Sequence, residues 1–107
     1  MQHQKKDYIH LFWDYPDIRC LASSLSREDF RQYIQGLKGK DSIRFNLILR
    51  RFIERARLND LFYFFEPDDV EMALEQFHFW DKLSPIRVHA IKHAIEFIKK
   101  RTDALYG

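Results

Sequence analysis

His89 and His93, four residues apart, are the nearest this chain comes to a ligand set. On a helix that spacing brings two imidazoles toward one metal ion. His78, Asp81 and Glu96 are the candidates for a third ligand, but no H-E-x-x-H pattern accompanies the pair. Beside Lys92, Lys99 and Lys100 the two histidines read first as a polar helix face, and no metal or cofactor is expected. Cys20 lies between Arg19 and Leu21, where positive charge favours a thiolate. Its plainer reading is a small buried side chain. Asp68-Asp69 with Glu71 gathers carboxylates, yet acids at a helix start are explained by the helix dipole. No Ser-His-Asp or Cys-His order stands out, and no glycine-rich phosphate loop is present. The expected class is a binding protein and not an enzyme.

Charge says more than any catalytic set. The formal net charge is +2. It divides along the chain into about +1, +4, −7 and +4, with breaks before Ser42, Asn59 and Lys82. The acidic stretch holds Asp60, Glu66, Asp68, Asp69, Glu71, Glu75 and Asp81 and no Lys or Arg. It is also aromatic, with Phe62, Tyr63, Phe64, Phe65, Phe77, Phe79 and Trp80. Phe62, Phe65, Phe77 and Trp80 are expected in the core. The rings are too many to hide together, so an aromatic patch with an acidic rim is expected to bind a protein. Its anchors would be Tyr63, Phe64, Phe79 and Trp80, surrounded by Asp68, Asp69, Glu71 and Glu75. The alternative surface is basic. Arg44, Arg51 and Arg55 share one flank of a helix and can follow a nucleic-acid backbone, extended by Lys92, Lys99 and Lys100. The near-balanced net charge weighs against that second reading.

The elements that position these residues are helices. Asp14-Tyr15-Pro16 reads as a turn, with Pro16 opening a short helix over Asp17–Leu21. Ser26 caps a helix running to about Leu37 that stops at Gly36 or Gly39. Asp41 or Ser42 caps the next, Ile43 to Arg57, whose apolar stripe is Phe45, Ile48, Leu49, Phe52, Ile53 and Ala56. Asn59 or Asp60 caps a short helix over Leu61–Phe65, broken at Glu66-Pro67. A helix from Pro67 or Asp68 turns Val70, Ala73, Leu74 and Phe77 inward. Ser84-Pro85 then opens a long helix to about Arg101. Its inward residues are Ile86, Val88, Ile91, Ala94, Ile95, Phe97 and Ile98. The two long stripes are expected to pack on each other. The apolar segment Tyr8, Ile9, Leu11, Phe12 and Trp13 buries Trp13, and a hairpin is an alternative form for it.

Three segments carry a family resemblance. They are Leu11-Phe12-Trp13-Asp14, then Arg51 to Phe62 (RFIERARLNDLF), then Lys82-Leu83-Ser84-Pro85. The chain resembles a family of small helical proteins of unknown function commonly encoded beside nucleotidyltransferase toxins of the abortive-infection type. Arg57-Leu58-Asn59 stands where that family's middle motif has a glycine. The resemblance implies an antitoxin that binds and neutralises such a toxin, and it brings no active site.

The bulk properties agree with a binding module. The 107 residues are expected to form a single helical domain over residues 1–107, frayed over 1–7. The fold class expected is all-α, a compact bundle of about five helices, two of them long. Three Gly and three Pro argue against a turn-rich β sandwich. A single cysteine excludes an internal disulfide and fits a reducing compartment. MQHQKKDYIH contains no apolar signal region, and no run reaches the length of a membrane span. A bacterial, cytoplasmic protein is expected, with a protein partner, nucleic acid as the alternative partner, and no membrane contact.

Overall fold

The computed structural model describes residues 6–76 and 83–106, with side chains described as far as Arg101. Among the described residues the chain is all helical, with no strand. A 3-10 helix, Asp7–Phe12, comes first. Six α-helices follow: α1 Pro16–Ser24, α2 Arg27–Leu37, α3 Ser42–Arg55, α4 Leu58–Phe64, α5 Pro67–Gln76 and α6 Pro85–Tyr106. Among the described residues there are thus seven helical elements where about five were expected. Contacts sort them into two compact units that meet in sequence at Phe65-Glu66, beside the proline that ends α4 and opens α5.

Side-chain caps set the starts of three helices. Ser26 Oγ accepts from the Asp29 amide at 3.1 Å, and Asp41 Oδ1 accepts from the Arg44 amide at 3.1 Å. Ser84 Oγ accepts from the Arg87 amide at 3.1 Å, with Pro85 first in the helix behind it. Gly36 does not stop α2, which continues through Leu37. Asp60 does not cap α4; that helix starts earlier, after Arg57, and Asp60 lies buried in its first turn. The N-terminal apolar segment is a 3-10 helix and not a hairpin. Lys6 Nζ donates to the carbonyls of Ser23 at 3.2 Å and Leu25 at 2.8 Å, closing the end of α1.

The first unit, through Phe65, is built on rings. Tyr8, Phe12, Phe30, Phe52, Phe64 and Phe65 are all essentially fully buried. Phe52 of α3 lies 6.2 Å from Tyr8, 6.1 Å from Phe12, 5.2 Å from Phe64 and 5.3 Å from Phe65 between ring centroids. Most of these pairs are tilted or edge-on, the arrangement that aromatic quadrupoles favour. The α3 stripe therefore finds its described ring partners on the 3-10 helix, on α4 and at Phe65 that follows it. Trp13 is 66 % exposed, against the expectation that it is buried. Tyr8, Leu11 and Phe12 fill the inward side of the 3-10 helix, and Trp13 comes one residue past its end. Cys20 is exposed too, on the outer side of α1 opposite Ile18 and Ala22.

In the second unit, from Glu66, α5 and α6 pack together. Val70, Ala73 and Leu74 of α5 are buried, as are Val88, Ile91 and Ile95 of α6. Ile86 and Phe97 are not: they are 81 % and 61 % exposed. At 100° per residue they lie three turns apart on one line, opposite the Ile91–Ile95 face. Phe77 lies outside the described residues.

Candidate partner-binding surfaces

The arginine flank of α3 is largely committed inside the first unit. Arg51 forms a two-pronged ion pair with Asp14, at 2.8 Å to Oδ1 and 2.6 Å to Oδ2. It also donates to the Leu11 carbonyl at 3.1 Å and lies 5.0 Å over the Tyr15 ring. Those hydrogen bonds hold the Asp14 carboxyl below the usual carboxylate range and raise Arg51 further. Arg44 pairs with Asp17 at 2.9 Å and donates to the Tyr33 hydroxyl at 3.2 Å. The hydrogen bond to Tyr33 is the main cause that raises Arg44. Arg55 is exposed and makes no ion pair among the described residues. So three residues that share a flank differ in availability, and only Arg55 is open to a phosphate.

A second internal pair was not anticipated from sequence. Asp60 is 6 % exposed and accepts from Arg27 Nη1 at 2.9 Å. The Arg27 guanidinium also sits 4.6 Å over the Tyr63 ring and 5.5 Å over Phe64. Tyr63 is half-buried, and its hydroxyl donates to Glu28 at 2.9 Å. Burial, then that hydrogen bond, raises the Tyr63 hydroxyl above its ordinary value. The Tyr63 carbonyl accepts from Arg31 Nε at 2.9 Å, and the Phe64 carbonyl from Gln35 Nε2 at 2.6 Å. Phe64 is a fully buried core ring and not the exposed anchor expected of it. The reason is geometric: Tyr63 takes the solvent side of α4, and the next residue turns inward.

The acids of α5 lie in the second unit. Asp68, Glu71 and Glu75 are exposed, and Asp69 is half-buried. Lys99 of α6 reaches Asp68 at 3.1 Å and Glu71 at 2.9 Å. The Glu71 hydrogen bond, then Asp68, raises the Lys99 ammonium. Glu71, Leu74, Glu75, Lys92, Ile95 and Glu96 line an open cleft of about 250 Å³. Lys92 and Lys100 are exposed on α6. Phe79 and Trp80 lie outside the described residues, as do His78 and Asp81. The structure thus brings Asp68 and Glu71 together with Lys99, and places Tyr63 and Phe64 in the other unit.

His89 and His93 stand exposed on α6, their rings 6.3 Å apart and tilted by only 16°. Among the described residues no three His, Cys, Asp or Glu side chains gather as a metal site. No helix among them is long and apolar enough to cross a membrane. Compared with protein-family models, curated proteins and solved structures, the chain matches none.

The segments that carry the family resemblance have structural work in this chain. Asp14 of the first and Arg51 of the second clamp each other, and Phe12 lies against Phe52. Asp60, near the end of the second, holds Arg27, and Ser84 of the third caps α6.

Proposed function

We propose that this protein is an antitoxin-like binding module that neutralises a nucleotidyltransferase toxin by protein–protein contact, without catalysis of its own. The contact surface is the acidic outer face of α5, where Glu75 faces a basic partner, Asp69 adds charge, and Asp68 and Glu71 are shared with Lys99. The observation that carries this choice over nucleic acid is the engagement of Arg44 and Arg51 with Asp17 and Asp14. A phosphate at either arginine must displace a bound carboxylate, whereas Glu75 is exposed and makes no ion pair among the described residues. Exposed acids on such a rim set the association rate and its salt dependence. Tyr63 remains a candidate contact through its exposed part.

The test is rescue of growth against the product of a neighbouring nucleotidyltransferase gene. Glu75→Lys spares both the Lys99 bridge and the acidic first turn of α5, and is expected to weaken rescue while the helical content and melting temperature hold. Arg55→Gln with Lys100→Gln is expected to rescue fully. The reverse pattern would transfer the function to the basic surface and to a nucleic-acid partner. Arg51→Gln is unsuitable for this purpose, because it removes a clamp of the fold.

A further inference from the structure

The outward face of α6 exposes two large apolar side chains three turns apart, with two bases at its C-terminal end. Ile86 and Phe97, at 81 % and 61 % exposure, mark its ends. Ala90 and the parallel rings of His89 and His93 lie between them on the same side of the helix. Lys100 and Arg101 flank Phe97. Of the other bases on the helix, Lys99 bridges to α5 and Lys92 lines the cleft beside α5, so Lys100 and Arg101 give this outward side its charge. Large apolar side chains left in water along one helix face mark an interaction surface. A surface of this shape and sign fits an anionic amphipathic helix.

The chain itself contains such a helix. The outer face of α5 centres on Met72, which is 56 % exposed. Asp69 and Glu75 lie on either side of Met72, and Pro67–Gln76 contains no Lys or Arg. The bridges to Lys99 use Asp68 and Glu71 and leave Met72 and Glu75 facing solvent. We propose that the outer face of α6 receives α5 of a second copy of this chain. Met72 packs along the Ile86–Phe97 line, and Asp69 and Glu75 face Lys100 and Arg101. This goes beyond the toxin-binding reading and does not need it. Because both use the outer face of α5, self-association and partner binding compete.

Sedimentation velocity on the full chain tests this, read against charge reversal on each face. The wild-type chain is expected to associate as its concentration rises, less so in high salt. Asp69→Lys with Glu75→Lys puts bases on both faces, and Lys100→Glu with Arg101→Glu puts acids on both. Each variant alone is expected to associate at least about tenfold more weakly, since like charges then meet. An equimolar mixture of the two restores opposite signs at the contact and is expected to recover the association. A chain carrying all four reversals should recover it as well. Circular dichroism and melting confirm that each variant is folded. If a pair of reversals unfolds the chain, Glu75→Lys and Arg101→Glu singly replace it in the same crossed design. A wild-type chain that stays monomeric up to about 1 mM overturns the proposal. So does a mixture that associates no better than its two components.

Discussion

At the scale of single residues, the ion pairs of the first unit separate structural charges from available ones. Asp14 is held below its ordinary range by Arg51, so it is charged more readily folded than unfolded. Its contribution to stability is present above the unfolded carboxyl value and is lost as the pH falls through the lower, folded one. Asp14→Asn is therefore expected to flatten the acid limb of a melting-temperature profile and to leave the shape near neutrality unchanged. A variant whose acid limb kept the parent's steepness would remove Asp14 from the account. Asp60 and Arg27 form the other pair, with Asp60 nearly out of reach of water. A double-mutant cycle of Arg27→Met and Asp60→Asn is expected to give a coupling of about 2 kcal/mol, the scale of a hydrogen bond to a charged group. Additive single effects would show that Arg27 is held by the rings beneath it and not by Asp60. Trp13 belongs at this scale too. Being 66 % exposed, it should tolerate Trp13→Phe within about 0.5 kcal/mol in denaturant titration.

At the scale of elements, the starts of α2, α3 and α6 each depend on one capping side chain, and the burial patterns on a period. Ser84 offers its hydroxyl to the first turn of α6, so Ser84→Ala is expected to cost about 1 kcal/mol, and Ser84→Gly less. Helix α3 contributes the ring at the centre of the aromatic cluster. Phe52→Ala is expected to cost about 3–5 kcal/mol by chemical denaturation, because four neighbouring rings lose a face. A cost below 1 kcal/mol, roughly that of a surface change, would place the core elsewhere. The caps at Ser26 and Ser84 were legible because capping chemistry acts within one turn. So was the break at Glu66-Pro67, since a proline constrains the residue before it wherever the chain goes. Asp60 was misread for the same reason in reverse. Its sequence neighbours suit a cap, but its partner Arg27 is thirty-three residues away.

At the scale of the whole molecule, the sorting of contacts at Phe65 gives the two stretches different physics. Up to Phe65, one ring cluster joins the 3-10 helix, α2, α3 and α4, so those elements should open together. In hydrogen exchange, Phe52→Ala is expected to lower protection across all four, and not in α3 alone. Loss confined to α3 would mean that the cluster does not unify them. From Glu66, an acidic helix and a basic one share two bridges through Lys99. Charge sorted along the sequence thus becomes charge sorted between two packed helices.

Helicity, the starts of most helices and the concentration of acids on α5 and of bases on α3 and α6 are readable from the residues alone. Those features follow from the 3.6-residue period, from caps and from proline, all of which act within a few residues. Which polar and aromatic groups remain available depends on how distant segments pack. Arg44 and Arg51 share a flank with Arg55, yet distant carboxylates engage the first two. Tyr63 and Phe64 are neighbours, yet one borders solvent and the other is core. Ile86 and Phe97 read as inward and face water, because a face is buried only where another element covers it. Such coverage depends on residues far along the chain, which no local pattern encodes.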